Sequence, residues 1–157
     1  MRAGEETVVA ELAARVFTQF VAPEFTQGGV EEFLRYAAPE ELARRSRADH
    51  VVRVAEEGAR LVGIMELRAS RHVAMLFVEQ QGRGIGRELV RRAVVLCRAH
   101  DPTLKDITVH AAPSAVRMYD RLGFRALGPE REQNGIRFVP MALALEPEVP
   151  AAPGGDT

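Results

Sequence analysis

A strand, three alternating glycines and an arginine-rich helix follow one another between His72 and Arg98, and together they could bind an anion. Residues 73–78 form a nearly continuous apolar run, which predicts a strand buried on both faces. Glycines follow at positions 82, 84 and 86, and from Ile85 apolar residues recur at helical spacing. Free backbone N–H groups and the positive end of the helix dipole would meet at the start of this helix. This arrangement favours phosphate binding.

The glycine pattern does not fit two common nucleotide-binding motifs. A P-loop requires Lys-Ser or Lys-Thr after its last glycine, and neither pair occurs in the chain. A dinucleotide-binding fingerprint fails in both frames, because Arg87 or Leu89 stands where the third glycine belongs. The pattern that fits is Gln/Arg-x-x-Gly-x-Gly/Ala, with Gln81, Gly84 and Gly86. It is the pyrophosphate-binding motif of the GCN5-related N-acetyltransferases, and here the chain resembles that family.

A second segment strengthens this resemblance. Residues 112–124 read Ala-Pro-Ser-Ala-Val-Arg-Met-Tyr-Asp-Arg-Leu-Gly-Phe. They look like the later helix of the family, in which an Ala is followed four residues on by Tyr and then by Leu-Gly-Phe. The resemblance covers roughly residues 5–145. It implies an α/β fold with about four helices and a mixed central sheet of six to seven strands, splayed between two parallel strands.

Composition predicts one globular domain over residues 1–146 and a disordered tail, rich in Pro and Gly, over residues 147–157. The 157 residues are 46% hydrophobic and 27% charged, which is ordinary for a soluble protein. The net charge of −1 gives no electrostatic reason to expect nucleic acid or a membrane surface as partner. With one cysteine and no zinc-ligand spacing, no disulfide and no metal are expected. The absence of a signal-type apolar run favours the cytoplasm.

Periodicity and turn residues predict the remaining elements. Helices are expected over residues 7–21, 30–37, 39–47 and 114–122, in addition to the arginine-rich helix, with Thr7 as the first N-cap. Strands are expected over residues 50–56, 60–68, 105–111, 124–127 and 136–145. Because the arginine-rich helix is the crossover between them, strands 73–78 and 105–111 should be parallel.

The resemblance implies acetyl-CoA as cofactor, with its pantetheine inserted between strands 73–78 and 105–111. The cofactor-binding residues carried over from the family are Leu76, Phe77, Val78, Gln81, Gly82, Arg83, Gly84, Ile85, Gly86, Arg87, Ser114 and Tyr119. The first three would offer backbone groups to the pantetheine amides. The N–H groups of residues 82–87 would bind the pyrophosphate, with Arg83 and Arg87 adding positive charge.

The implied reaction is attack by an amine on the acetyl thioester, which needs an acid and a base. Tyr119 occupies the acid position of the family; a helix Tyr packed in the core is the structural alternative. Three residues are candidates for the base: Glu66 first, then His72, whose intrinsic pKa suits proton removal from an ammonium ion, and then His110. A structural ion pair between Glu66 and Arg68, or a hydrogen-bonded core histidine, would explain the same residues without catalysis.

The acceptor is expected to be a primary amine of a small molecule or peptide. Candidate substrate contacts are Glu24 and Phe25, in the loop after the first helix, and His110. Phe25 could equally close the loop as a buried residue, with Glu24 exposed. A non-catalytic acyl-CoA-binding or regulatory module is the competing interpretation. The protein is expected to be a monomer or a homodimer, and residues 136–145, taken as an edge strand, could pair across a dimer.

Overall fold

Seven strands form one mixed sheet. The computed structural model describes residues 1–146. The strands are β1 His50–Glu57, β2 Arg60–Arg68, β3 His72–Val78, β4 Asp106–Ala111, β5 Arg125–Ala126, β6 Arg131–Gln133 and β7 Ile136–Ala144. Their order in the sheet is β1-β2-β3-β4-β7-β5, with β6 paired to β7 beyond this path. The helices are α1 Glu6–Phe20, α2 Gln27–Tyr36, α3 Pro39–Ser46, α4 Ile85–His100 and α5 Val116–Arg121. Single 3₁₀ turns cover Ala22–Glu24 and Pro113–Ala115.

Two apolar clusters cover the two faces of the sheet. On one face α4 packs Leu89, Val90 and Ala93 against the inner residues of β2, β3 and β4. On the other face α1 and α3 pack against β1, β2 and β3. Gly63 on β2 allows α4 to approach closely, since a Cβ there would lie 2.9 Å from the Ile85 side chain. The sheet is therefore held rigidly where α4 begins, directly after the glycine loop.

The parallel strands β3 and β4 pair over only two positions. His72 lies opposite Thr108 and Val73 opposite Val109, and no further pairs follow along β3. The register of β3 with β2 also shifts, because Glu66 faces Met75 while Leu67 faces Val73, which leaves Ala74 as a bulge. The remainder of β3 thus diverges from β4. The predicted splay between two parallel strands is confirmed.

The predicted fold class is confirmed, with four differences in detail. Residues 1–146 contain five α-helices, all of which the periodicity predicted, where the family resemblance implied about four. The residue before the first helix is Glu5, which makes no side-chain cap, so the predicted N-cap Thr7 lies inside α1. The stretch between the predicted strands 124–127 and 136–145 contains β6, which forms a hairpin with β7. β7 lies between β4 and β5, so the predicted edge strand is an inner strand and has no free edge for a dimer.

The disordered tail predicted over residues 147–157 lies outside the described residues. Among residues 1–146, no helix is both long and apolar enough to cross a membrane.

Candidate active site

A cavity of about 790 Å³ opens where β3 and β4 diverge. Its walls come from α1, α2, β3, the ends of β2 and β4, α5 and the β6–β7 hairpin. Nine of the candidate residues line it: Phe25, His72, Leu76, Phe77, Val78, Gln81, His110, Ser114 and Tyr119. The last two line it from the side of α5. One space therefore joins the glycine loop to the loop that follows α1.

The glycine loop has the geometry of an anion cradle. Gly82 and Gly84 have φ angles of 82° and 76°, in the left-handed region that side chains disfavour. A Cβ built on either residue would meet no atom within 4 Å, so the space in front of the backbone is open. No side chain caps α4, whose N-cap residue is Gly84, and its first N–H groups are therefore available to a ligand. These features fit a pyrophosphate.

The arginines around this loop differ in their partners. Arg83 donates to the Glu57 carboxylate, with Nη1 at 3.1 Å from Oε2, and to Gln80. Arg91 and Arg92 both bind Glu88 on the surface of α4. Arg87 is exposed and forms no ion pair with any residue in 1–146. Of the two arginines predicted to add charge near the phosphates, Arg83 is thus already held by Glu57.

Tyr119 lies in the second turn of the Pro113–Arg121 helical segment with its ring in the core. The residue is 5% exposed, and its ring packs edge-on against Phe124 with the centroids 5.2 Å apart. Its hydroxyl makes no hydrogen bond within residues 1–146, and the residue lines the cavity. Burial raises the pKa of the hydroxyl well above its ordinary value. Tyr119 therefore keeps its proton at neutral pH.

Glu66 is fully buried and has partners other than the one predicted. The Tyr36 hydroxyl donates to Oε1 at 2.6 Å, and Arg45 Nε donates to Oε2 at 3.0 Å. His50 Nδ1 approaches Oε2 at 3.4 Å. The expected Glu66–Arg68 pair is wrong, because α3 supplies Arg45 as the buried counter-charge. Glu66 does not line the cavity; Tyr36, which binds it, does.

His72 lies at the point where the two parallel strands separate. Its Nδ1 is 2.8 Å from Thr108 Oγ1, and its ring meets that of His110 edge-on with the centroids 4.9 Å apart. Burial, followed by the positive charge of Arg68, lowers its pKa to about 4. The imidazole is therefore neutral at physiological pH. It is also a weaker base than its intrinsic pKa suggested, which corrects the expectation that it would deprotonate a free ammonium ion.

His110 forms the next layer of the same wall. Its ring stacks on Phe138, with the centroids 4.3 Å apart, and its pKa is lowered by burial and by Arg68. Thr108 and Phe138 were not among the sequence candidates. The alternation of β4, which places Thr108 and His110 on one face two residues apart, could have indicated Thr108. Phe138 depends on the pairing of β7 with β4, which local sequence does not report.

Aromatic side chains form the wall opposite α5. Phe25 contacts Phe17 edge-on at 5.3 Å between centroids, and Phe17 stacks on Phe33 at 3.9 Å. Phe33 in turn meets Phe77 of β3 at 5.7 Å. The candidate Phe25 thus lines the cavity and packs half-buried against α1, and its contact with a substrate stays a prediction.

The candidate Glu24 lies outside the cavity lining. Its carboxylate accepts a hydrogen bond of 3.2 Å from the Ser114 backbone N–H. Ser114 Oγ donates to the Phe20 carbonyl at 3.4 Å. These two bonds connect the segment after α1 to the start of the α5 segment, so they help close one end of the cavity.

A tight contact joins the loop after α1 to the β6–β7 turn, and we call it the clasp. It consists of Thr26, Gly29 and Gly135. Thr26 N–H donates to the Gly135 carbonyl at 3.2 Å, and Thr26 Oγ1 caps α2 by accepting from Gly29 N–H. A Cβ on Gly135 would lie 2.0 Å from Thr26 Oγ1. Asn134 and Gly135 both have positive φ, as a two-residue hairpin turn requires.

The chain matches known proteins in family sequence pattern and in fold. Residues 21–145 match the family described as acetyltransferase (GNAT) domain. No curated protein matches the chain significantly. Three similar solved structures share 16–20% sequence identity with it, a level at which the likeness shows the fold alone.

The first of these structures is a GCN5-related N-acetyltransferase from Rhodopseudomonas palustris, with 20% identity, a TM-score of 0.78 and 92% of each chain covered. The second is the PaiA N-acetyltransferase from Thermoplasma acidophilum in complex with coenzyme A, with 18% identity and a TM-score of 0.73, covering 92% of this chain and 96% of that one. The third, GCN5 from Tetrahymena, has 16% identity and a TM-score of 0.63, covering 94% and 92%.

Proposed function

We propose, since the chain belongs to the GNAT acetyltransferase family, that it transfers an acetyl group from acetyl-CoA to a primary amine of a small molecule or peptide. The observation that carries this proposal is the single cavity that runs from the glycine loop, past the splay of β3 and β4, to the aromatic wall. One end suits a pyrophosphate and the other an uncharged organic group. The reacting atoms would meet between them, beside His72 and Tyr119.

The cofactor end of the cavity uses main-chain groups. The open backbone at Gly82 and Gly84 and the uncapped start of α4 would hold the pyrophosphate, with Gln81 and Arg87 beside it. Leu76, Phe77 and Val78 have no β4 partner, so their backbone groups are free on that side for the pantetheine. Acetyl-CoA supplies the reactive thioester. The unpaired stretch of β3 near the Ala74 bulge also provides donors for the oxygen on which negative charge develops.

Tyr119 would donate the proton that the leaving sulfur needs. Tyr119 lines the cavity, its hydroxyl has no hydrogen-bond partner within residues 1–146, and its raised pKa keeps it protonated over the working pH range. Because the ring is fixed by Phe124 and the core of α5, the hydroxyl position is set before the substrates arrive. A donor held in this way loses little entropy in the reaction.

His72 is the residue we assign as base. Glu66 is unsuited because Tyr36 and Arg45 already occupy both of its oxygens and it has no exposed surface. His72 lines the cavity at the splay and is neutral, so it can accept a proton. With a pKa of about 4, it would accept this proton from a nitrogen that has begun to bond to the acetyl carbon, because bonding makes the N–H far more acidic. His110 lies behind it, stacked on Phe138.

Two measurements on the purified protein test the proposal. Acetyl-CoA should raise the melting temperature, as any ligand of the native state does by mass action. Free thiol should then appear when one member of a panel of primary amines is added. Stabilisation without thiol release across the panel would favour a non-catalytic acyl-CoA-binding module. No stabilisation at millimolar acetyl-CoA would refute cofactor binding and with it the whole proposal.

A further inference from the structure

Four polar residues form a row across four neighbouring strands, on the face of the sheet that α1 and α3 cover. In register, His50 of β1 lies opposite Arg68 of β2, Arg68 opposite His72 of β3, and His72 opposite Thr108 of β4. Directly opposed residues on neighbouring strands point to the same face about 5 Å apart. The row therefore ends at the splay, where Thr108 is the last β4 residue on this face that pairs with β3.

We propose that Thr108 is a positioning residue that fixes His72 in the tautomer with its proton on Nδ1, leaving the lone pair of Nε2 open to the cavity. This inference rests on the proposed function, in which His72 is the base. A hydroxyl oxygen has two lone pairs and can accept the Nδ1–H bond at the observed 2.8 Å. In neutral histidine only one nitrogen carries a proton, so a proton on Nδ1 leaves Nε2 as an acceptor.

The surroundings of Nε2 agree with this role. It has no hydrogen-bond partner among residues 1–146, and His72 lines the cavity. The edge of His110 restricts rotation of the ring, and His110 is itself held by stacking on Phe138. A general base must be unprotonated and correctly oriented towards its substrate. In many acid–base sites a further group orients the base through a hydrogen bond. Thr108 and His110 together orient the His72 ring.

The charged and titratable groups around His72 keep it neutral. Arg68 faces it from β2, His110 from β4 and His50 from the far end of the row on β1, and each disfavours a second positive charge. The buried carboxylate of Glu66, on the same face, is neutralised by Arg45 and bound by Tyr36. No carboxylate in residues 1–146 contacts the His72 ring. The site thus favours neutral His72, which would hold a proton taken from the amine only briefly.

The proton balance is closed within the proposed reaction. The attacking nitrogen forms a bond to the acetyl carbon and loses one proton to Nε2 of His72. The carbon–sulfur bond breaks, and its electron pair stays on sulfur, which takes a proton from Tyr119. The proton on His72 then passes through solvent to the Tyr119 phenolate, which restores both groups. Thr108 exchanges no proton with the substrate, and its contribution is to keep Nε2 unprotonated beforehand.

The tautomer can be measured without any activity. Nitrogen-15 NMR of uniformly labelled protein at pH 7.5 distinguishes a protonated from an unprotonated ring nitrogen. We expect Nδ1–H for His72 in the wild type and in Thr108→Ser, and a mixture or the Nε2–H form in Thr108→Val. Val has almost the same shape and suits a strand, and melting temperatures of the three proteins show whether each is folded. An Nε2–H tautomer in the folded wild type overturns the proposal.

Kinetics then test whether the tautomer matters to the reaction. Thr108→Val should lower kcat about ten- to a hundred-fold, with little change in the KM for acetyl-CoA, and Thr108→Ser should restore most of the loss. In a His72→Ala background Thr108→Val should have no further effect, because both changes disable one unit. Additive losses in the double variant, or full activity in Thr108→Val, overturn the positioning role. If the wild type releases no thiol with any amine, the proposed function fails and so does this role, while the NMR result still reports the bond.

Discussion

The hydroxyl of Tyr36 donates a 2.6 Å hydrogen bond to the carboxylate of Glu66, and this bond joins the wall of the cavity to a charge in the core. Arg45 completes the unit, since its guanidinium lies 3.5 Å from the centre of the Tyr36 ring and binds the other Glu66 oxygen. The end of α2 and the whole of α3 are thereby anchored to β2. Burial, followed by the charge of Glu66, raises the pKa of Tyr36 far above its ordinary value, so the donor proton stays in place.

Glu66→Gln should destabilise the protein strongly. It leaves the buried Arg45 without a counter-charge, which typically costs about 3 to 5 kcal/mol of unfolding free energy. Urea denaturation measures this loss. Glu41→Gln, which removes an exposed partner of Arg44 on α3, is the matched control and should change stability little. If Glu66→Gln stayed as stable as the wild type while turnover collapsed, Glu66 would be a catalytic base after all.

Tyr119→Phe should separate binding from turnover. The hydroxyl forms no hydrogen bond within the described chain, so its removal should leave both stability and acetyl-CoA affinity nearly unchanged. The kcat should fall about ten- to a thousand-fold if Tyr119 protonates the leaving sulfur. Isothermal titration with acetyl-CoA and thiol-release assays provide the two numbers. Wild-type turnover in this variant would remove Tyr119 from the mechanism.

Gly84→Glu should abolish acetyl-CoA binding, because it introduces a side chain and a negative charge where the phosphates would lie. Gly58→Glu is a matched control in the β1–β2 turn. Gly58 also has positive φ, 61° against 76° for Gly84, and neither Cβ would meet an atom within 4 Å. The backbone strain of the two variants should therefore be similar, about 1 to 2 kcal/mol. Thermal shift with acetyl-CoA should be lost only in Gly84→Glu; equal shifts in both would refute the glycine-loop assignment.

Acid should destabilise the protein through His72. Its pKa is lowered from 6.5 to about 4 on folding, so below pH 6.5 the unfolded chain binds a proton that the native chain refuses. The contribution of His72 to the free energy of unfolding is fully present above pH 6.5. It is lost as the pH drops towards 4, by at most about 3 kcal/mol. His72→Gln should flatten this part of the profile, and His100→Gln, on the exposed end of α4, should not. An unchanged slope in His72→Gln would contradict a buried neutral imidazole.

Gly135→Ala should disturb the acceptor end alone. The new Cβ would lie 2.0 Å from Thr26 Oγ1, so the clasp must open and move the loop that carries Phe25. We expect the KM for the amine to rise about ten-fold while the affinity for acetyl-CoA stays the same. Gly128→Ala is the control, because its Cβ would meet no atom closer than 3.9 Å. A loss of acetyl-CoA affinity instead would mean that the clasp supports the cofactor end.

The sequence predicts the parts of this structure that depend on local pattern. The glycines of residues 82–86, the crossover helix and the parallel pair of strands follow from spacing and topology alone. The predicted β2, over residues 60–68, agrees with the structure to the residue. β6 is not predicted, because its three exposed residues show no alternation of apolar and polar side chains. The following Asn134-Gly135 pair is nevertheless a strong hairpin signal.

The partners of the candidate site residues could not be predicted in the same way. Glu66 and Arg45 lie 21 residues apart and meet only because α3 packs on β1 beside β2. The choice of Arg45 over Arg68 is set by packing, since Arg68 is exposed at the end of β2 while Arg45 is 6% exposed. The same holds for His72, whose lowered pKa comes from burial and from neighbours on three strands.

The two rungs that join β3 to β4 are the main hydrogen-bonded connection between a block of three strands and a block of four. A ligand that lies along the gap would replace the missing hydrogen bonds between β3 and β4 and so connect the two blocks of strands. The mechanical strength of the sheet across its middle would then vary with ligand concentration. The bound ligand would therefore stabilise the sheet reversibly. Backbone amides on the facing edges of the gap would exchange with solvent more slowly while the ligand is bound.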